Sequence, residues 1–352
     1  MPLFNDFFRE RRVLITGHTG FKGSWLTFWL ARLGADITGI GLAPVTQPNL
    51  FSLADIEALC KHHLCDIRDT QGIASIVEKI QPEIVFHLAA QPLVRTSYRQ
   101  PVDTFSTNII GSVNLLDALR HVDSVKSVVM VTTDKVYHNQ EQQNPYTEKD
   151  RLGGIDPYSA SKAASELVIA SYRESYLAEK GVAVSTARAG NVVGGGDWSE
   201  DRLIPDAVNA WQHQIPLEIR SPDAIRPWQH VLESLFGYMQ LAKKSYQDAN
   251  LAGAYNFGPD INESATVRHV ISIAQQVYGS GEVNFHEVSA GPHEAGLLML
   301  DTDKSHRLLN IKPAWSLIET LQRTLHWYRA EQKNISVRDL CEADIVAYEA
   351  LL

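Results

Sequence analysis

The sequence predicts an α/β fold, a doubly wound parallel sheet with a smaller C-terminal lobe. Three observations predict it. Short apolar runs alternate with helical apolar spacing through the first half, as right-handed βαβ units require. A glycine turn, Gly17-His18-Thr19-Gly20-Phe21-Lys22-Gly23, joins the first run to the first helical segment. Beyond Arg188 the order becomes less regular, with Gly194-Gly195-Gly196 and several prolines.

Each element follows from its pattern. Residues 13–16 form a buried strand, 24–33 a helix and 37–42 a second strand. Residues 73–80 form a helix closed by Pro82, and 84–88 and 128–131 two further strands. The change near Arg188 divides the chain into a nucleotide-binding domain, 1–187, and a smaller lobe, 188–352, with some later segments crossing back; 317–328 reads as an amphipathic helix. The chain has 352 residues, 44% apolar and 21% charged, enough for a large core without disulfides or structural metal. A net charge of −9 argues against nucleic acid and anionic membranes as general partners. No apolar stretch reaches the roughly 20 residues that span a bilayer, and the first residues lack a signal-peptide block. Three cysteines, Cys60, Cys65 and Cys341, fit a reducing cytoplasm better than a disulfide framework.

The glycine turn makes the sheet Rossmann-type. Glycine is needed where the chain turns sharply and backbone N–H groups approach a pyrophosphate, and the following helix N-terminus adds donors and a favourable dipole. The acid that usually holds the adenosine ribose about 20 residues on is missing: the second strand ends Gly39-Ile40-Gly41-Leu42-Ala43-Pro44. Asp36 sits at the wrong end of that strand, so NAD is only weakly favoured over NADP and cofactor binding is expected to be weak. Lys22 and His18 are expected to bring positive charge to the phosphates. Cys60-Lys61-His62-His63-Leu64-Cys65 invites a zinc site, but side chains that alternate along a strand make a poor tetrahedron, so no metal is expected. Asp66 and Ile67 follow at the cofactor edge; Asp66-Ile67-Arg68-Asp69 could contact adenine or cap the next helix.

Tyr158 and Lys162 are spaced i, i+4 and share a helix face, where an ammonium would favour phenolate and lower the tyrosine pKa. A second such pair, Tyr176 and Lys180, lies just before Gly181, far from any strand end, and reads as a surface pair. Thr133, Asp134 and Lys135 leave a fully apolar strand at the carboxyl edge of the sheet, where ligands bind. They read as a proton-transfer cluster: a hydroxyl to bridge to Tyr158, an acid and a potential base.

These residues, with His87-Leu88-Ala89-Ala90-Gln91, Asn108 and Arg188-Ala189-Gly190-Asn191-Val192-Val193-Gly194, resemble the extended short-chain dehydrogenases/reductases. Thr-Asp before the tyrosine is similar to the nucleotide-sugar 4,6-dehydratases. The lysine at 135, with Gly195-Gly196-Asp197-Trp198 and Arg226-Pro227-Trp228-Gln229-His230-Val231, resembles the CDP-glucose branch. The resemblance implies an NAD-dependent lyase acting on CDP-glucose, with Leu88, Ala89 and Ala90 beside the cofactor. Gln91, Arg95, Asn108, Asn191, Asp197, Trp198 and Arg226 are then expected at the substrate, Arg226 on its diphosphate. It also implies a homodimer or dimer of dimers, and deoxysugar supply for surface polysaccharide such as lipopolysaccharide O-antigen. Tyr158 would take the 4-hydroxyl proton while hydride leaves C4 for NAD, Lys162 would hold the tyrosine and nicotinamide ribose, and Thr133 would bond the C4 oxygen. Asp134 would protonate the leaving 6-hydroxyl. Lys135, which replaces the glutamate of the dTDP-glucose enzymes, would remove the C5 proton or stabilise the enolate electrostatically. A nucleotide-sugar 4-epimerase or reductase would need Tyr158, Lys162 and Thr133 but not Asp134 and Lys135 together. A non-catalytic NAD-sensing regulator would not need the tyrosine–lysine pair.

Overall fold

The computed structural model describes residues 3–286 and 296–352. Seven parallel strands form the central sheet: β1 (Arg12–Thr16), β2 (Asp36–Gly41), β3 (Lys61–Leu64), β4 (Ile84–His87), β5 (Ser127–Val131), β6 (Ala183–Ala189) and β7 (Ala254–Phe257). Their order is β7-β6-β5-β4-β1-β2-β3, so the direction of winding reverses between β1 and β4 and opens a crevice at the strand carboxyl ends.

β5 and β6 are buried on both faces, which is why β5 reads as a continuous apolar run; β6, Ala-Val-Ser-Thr-Ala-Arg-Ala, has no such run and is not marked by the sequence pattern. Alternate residues feed different layers: Val129 and Val131 pack with Trp25, Trp29 and Tyr238 on one side, Val128 and Met130 with Leu115 and Ile169 on the other. The crossovers include α1 (Phe21–Arg32), α2 (Thr70–Ile80), α3 (Gly111–Leu119) and α4 (Pro157–Tyr172). Asp69 begins α2 by accepting from Gly72 N, which gives it the capping role of the two considered.

Beyond residue 188 the chain builds α5 (Leu203–Gln212), α6 (Val231–Gln247), α7 (Leu317–Glu331) and α8 (Val337–Glu349) with short strand pairs. It also crosses back: β7 completes the sheet beside β6, and α6 packs on β5 and β6. One core runs through both parts, and the Trp25 indole donates to Gly195 O at 2.9 Å. Among the described residues, no helix is long and apolar enough to cross a membrane.

Candidate active site

A cavity of about 790 Å³ opens at the carboxyl edge of the sheet and reaches into the C-terminal elements. That is near the upper end of small-molecule sites, about 300–1,000 Å³. Its wall carries Gly17, Thr19, Gly20, Phe21, Lys22 and Gly23, then Asp66 and Ile67, then Leu88, Ala89, Ala90 and Gln91. Thr133, Lys135, Tyr158 and Lys162 line its centre, and Arg95, Asn191, Asp197, Trp198 and Arg226 its far side.

The glycine turn forms a cradle. Gly17 has φ +76, and a Cβ there would sit 2.6 Å from Ala89 N; a Cβ on Gly23 would sit 2.0 Å from Gly17 O. Gly20 caps α1 without a side-chain bond, so the first N–H groups of the helix have neither an intrahelical nor a side-chain acceptor. A turn with no room for Cβ atoms, ending in unused donors, fits a dinucleotide pyrophosphate. Lys22 lies at the same wall. Burial, with Arg202 and Lys162 nearby, pushes its pKa down to about 7. No acid lines the cavity over 41–46, and Asp36 is paired with Lys61 at 2.7 Å.

His18 is a correction. Its ring is buried away from the cavity against Gly39, where a Cβ would come within 2.4 Å of it, and its Nε2 lies 2.7 Å from His62 Nδ1. Burial pushes its pKa down to about 4, so it is neutral and brings no charge to phosphates. Among the described residues no group of three or more His, Cys, Asp or Glu is arranged to hold a metal ion.

The reacting centre is built by two caps. Thr133 starts a 3₁₀ turn, Asp134–Val136, by accepting from Lys135 N, which turns the chain sharply at the end of β5. Asp156 caps α4 by accepting from Ser159 N at 2.9 Å, with Pro157 at its first position. Tyr158 therefore lies at the helix start, its N–H donating to Ser97 Oγ at 3.1 Å, and Lys162 lies one turn on. Lys162 Nζ donates to Val131 O at 3.1 Å. Burial lowers the Lys162 pKa to about 8, against the opposing pull of Glu166.

The expected lowering of the Tyr158 pKa is not found. Burial raises it to about 12, while the Thr133 hydroxyl and Arg202 guanidinium pull the other way. The phenol is only 8% exposed, and the ammonium meant to activate it is bonded to a backbone carbonyl. Two further residues depart from expectation. Asp134 is fully buried behind the cavity wall: its Oδ1 accepts from Thr133 Oγ1 at 3.0 Å and Lys135 Nζ at 3.1 Å, and its Oδ2 has no partner. Asn108 is a buried clasp, its Oδ1 accepting from Gln91 N at 2.8 Å and its Nδ2 donating to Ser161 Oγ at 2.8 Å. It shapes the loop that presents Gln91 and does not line the cavity. Tyr176 and Lys180 lie on the surface, where Lys180 Nζ donates to Arg120 O.

On the far side Arg95, Arg202 and Arg226 share the wall with Asp197 and Asp201. Arg95 Nε is buried without a hydrogen-bond partner and its NH1 lies 3.4 Å from Asp201. Sequence reasoning missed Arg202, although Pro205 marks the start of α5 just after it. Arginine forks matched to phosphate oxygens suit a diphosphate here.

The GDP-mannose 4,6 dehydratase family model matches residues 14–324. The chain belongs to this family. Within reach of it stands the CDP-glucose 4,6-dehydratase of Salmonella typhimurium, 43% identical over 331 residues, 92% of each chain. The dTDP-glucose 4,6-dehydratase of Haemophilus influenzae is 27% identical over 337 residues, 90% of this chain and 97% of that one. Among solved structures, the dTDP-glucose 4,6-dehydratase of Bacillus anthracis in complex with NAD matches with a TM-score of 0.77 at 21% identity, covering 92% of this chain and 98% of the other, which shows the shared fold.

Proposed function

We propose that the protein is an NAD-dependent CDP-glucose 4,6-dehydratase, yielding CDP-4-keto-6-deoxyglucose and water. One observation carries the reaction type: Lys135, backed by the buried Asp134, lines the same cavity as Tyr158 and Lys162, and a 4-epimerase has no use for it. The cytidine assignment is supported by the relative that matches 92% of both chains at 43% identity. The glycine cradle and the start of α1 hold NAD, with Lys22 beside its phosphates; Arg95, Arg202 and Arg226 hold the sugar diphosphate. In this reading the C-terminal part, 188–352, supplies most of the substrate contacts.

Held by the glycine cradle and the start of α1, NAD would supply the hydride acceptor for C4 and the hydride donor for C6, so that the net change is loss of water. The Tyr158 phenolate accepts the 4-hydroxyl proton, and Thr133 positions the C4 oxygen by hydrogen bonding. With Tyr158 near 12 in the free protein, binding of cofactor and substrate has to bring the phenolate within reach. Asp134 and Lys135, 3.1 Å apart, act as one unit. Lys135, on the cavity wall, is the member that reaches the sugar: it carries the proton from C5 to the leaving 6-oxygen and stabilises the enolate charge, while Asp134 holds its Nζ from behind. Mass spectrometry with CDP-, dTDP-, GDP- and UDP-hexoses tests this. Loss of one water from CDP-glucose with NAD unconsumed is expected. Dehydration of another nucleotide sugar alone would discard the cytidine assignment, and a mass-neutral isomer would identify an epimerase.

NAD binding is expected to be weak. The missing ribose acid removes a charge-assisted hydrogen bond, roughly 1.5–3 kcal/mol, or about ten- to a hundredfold in affinity. Fluorescence titration of the apo protein measures it, and retention of NAD through dialysis would contradict it.

The assembly is a homodimer in this proposal, and the three free thiols suit a reducing cytoplasm. Residues 101–110 and α4 pack together and expose Val102 (81%), Ile110 and Leu167 (64%) on their outer surfaces. Sedimentation is expected to give a dimer for the wild type and a monomer for V102E/L167E; a monomeric wild type would contradict the assignment.

A further inference from the structure

The mechanism leaves a buried charge cluster on α4 unused. Glu166 lies one helical turn beyond Lys162 on α4 and is 4% exposed. Its two oxygens take four hydrogen bonds: from Thr132 Oγ1 at 2.6 Å, Thr186 Oγ1 at 2.8 Å, and Arg188 Nε and NH2 at 2.9 and 2.8 Å. Arg188, equally buried, also donates to Tyr137 Oη at 2.9 Å and to the Glu148 carbonyl. The cluster thus ties α4, which carries Tyr158 and Lys162, to the end of β5, which carries Thr133, and to the turn holding Lys135.

A buried carboxylate is costly, and replacing a buried ion pair with apolar groups is often neutral or stabilising. Packing alone does not call for this one. We propose that Glu166, held in place by Arg188, is a positioning residue for the reaction: it fixes the end of β5 against α4 and keeps a negative charge behind Lys162 so that the lysine stays an ammonium beside Tyr158. The proposal rests on the assignment of Tyr158 and Lys162 above.

The surroundings of the pair sharpen the role. Lys162 faces Lys22 from α1 and His87 from β4. His87 is neutral, its pKa pushed down to about 3 by burial, and Lys22 is of like sign. Tyr158 faces Asp134 and Thr133 from the strand end, Arg202 ahead of α5, Asp156 at its own helix start and Tyr238 from α6. Glu166 is the charge that raises the Lys162 pKa against desolvation. Removing it lowers that pKa, because a lysine that loses a neighbouring anion gives up its proton at lower pH.

The test is kcat/KM for CDP-glucose against pH for the wild type, E166Q and E166Q/R188Q. E166Q strands a buried arginine and is strongly destabilising. The double variant removes both charges and keeps hydrogen-bonding amides in both places, so it is the better-folded control, in which loss of the Arg188 cation offsets loss of the anion and the shift is smaller. The wild type is expected to show an ionisation near pH 8 from Lys162, and that ionisation is expected to move to lower pH in folded E166Q, where the anion is gone and the Arg188 cation remains. An ionisation that stays where it is, whatever the fall in rate, leaves only a structural role and overturns the proposal. A wild type that fails to turn over CDP-glucose would instead remove the assignment on which the proposal rests.

Discussion

Tyr158→Phe is expected to lower turnover by about 10²–10⁴-fold, the range that a positioned proton-transfer group contributes. The variant removes one oxygen from a side chain that is 8% exposed and keeps the ring that fills the space, so the fold should survive. The helix start is held by Asp156 and Ser97 through backbone N–H groups, and neither bond involves the phenol. Binding of NAD and CDP-glucose should therefore stay within a few-fold of the wild type while kcat falls, the pattern of a lost transition-state interaction. Steady-state kinetics with calorimetric binding separates the two. A variant with wild-type kcat would remove Tyr158 from the chemistry, and one that no longer binds either ligand would make it a structural residue.

Lys135→Met is expected to stop the reaction at a different point. Lys135 is the member of the Asp134–Lys135 pair that reaches the cavity wall, and its side chain is about a third exposed. Methionine keeps much of its length and removes the charge. Oxidation at C4 depends on Tyr158, Lys162 and Thr133 and should continue; loss of water from C5 and C6 should fall by about 10²-fold or more. Quenched mixtures should then contain the 4-keto-hexose that still carries its 6-hydroxyl, two mass units below substrate. Normal product at the normal rate would make Lys135 a bystander. Loss of C4 oxidation as well would mean that the ion pair serves the first step too, a result the close contact of Asp134 with Thr133 makes worth measuring.

Much of the site was legible because its residues sit where local rules are strict. The glycine turn, the apolar runs of β1, β4 and β5 and the Asp156-Pro157 start of α4 each follow from backbone requirements, and they put Gly17, Thr133 and Tyr158 at one edge of the sheet. What local rules do not fix is where a side chain points once the chain has folded. His18 lies inside the cradle sequence, yet Gly39 of the neighbouring strand leaves a hole for its ring and the ring goes there. Asn108, expected at the substrate, serves instead as a clasp for the Gln91 loop. Asp134 turns inward because its partners Thr133 and Lys135 are its chain neighbours. Glu166 gave one signal, its four-residue spacing from Lys162, but its partner Arg188 is 22 residues away and meets it only through the packing of α4 on β6. The Tyr158 phenol departs from expectation for a related reason: spacing places a cation on the same helix face, and burial, which spacing does not report, is the larger effect.

The proposed reaction requires that what leaves C4 comes back at C6 of the same sugar. CDP-glucose carrying deuterium at C4 is turned over with NAD, and the product is examined by NMR. Deuterium on the new C6 methyl group, with one solvent proton introduced at C5, is the expected result. A product whose C4 deuterium remains in place, or whose methyl group takes all of its new hydrogen from solvent, would contradict the assignment of this cavity to 4,6-dehydration.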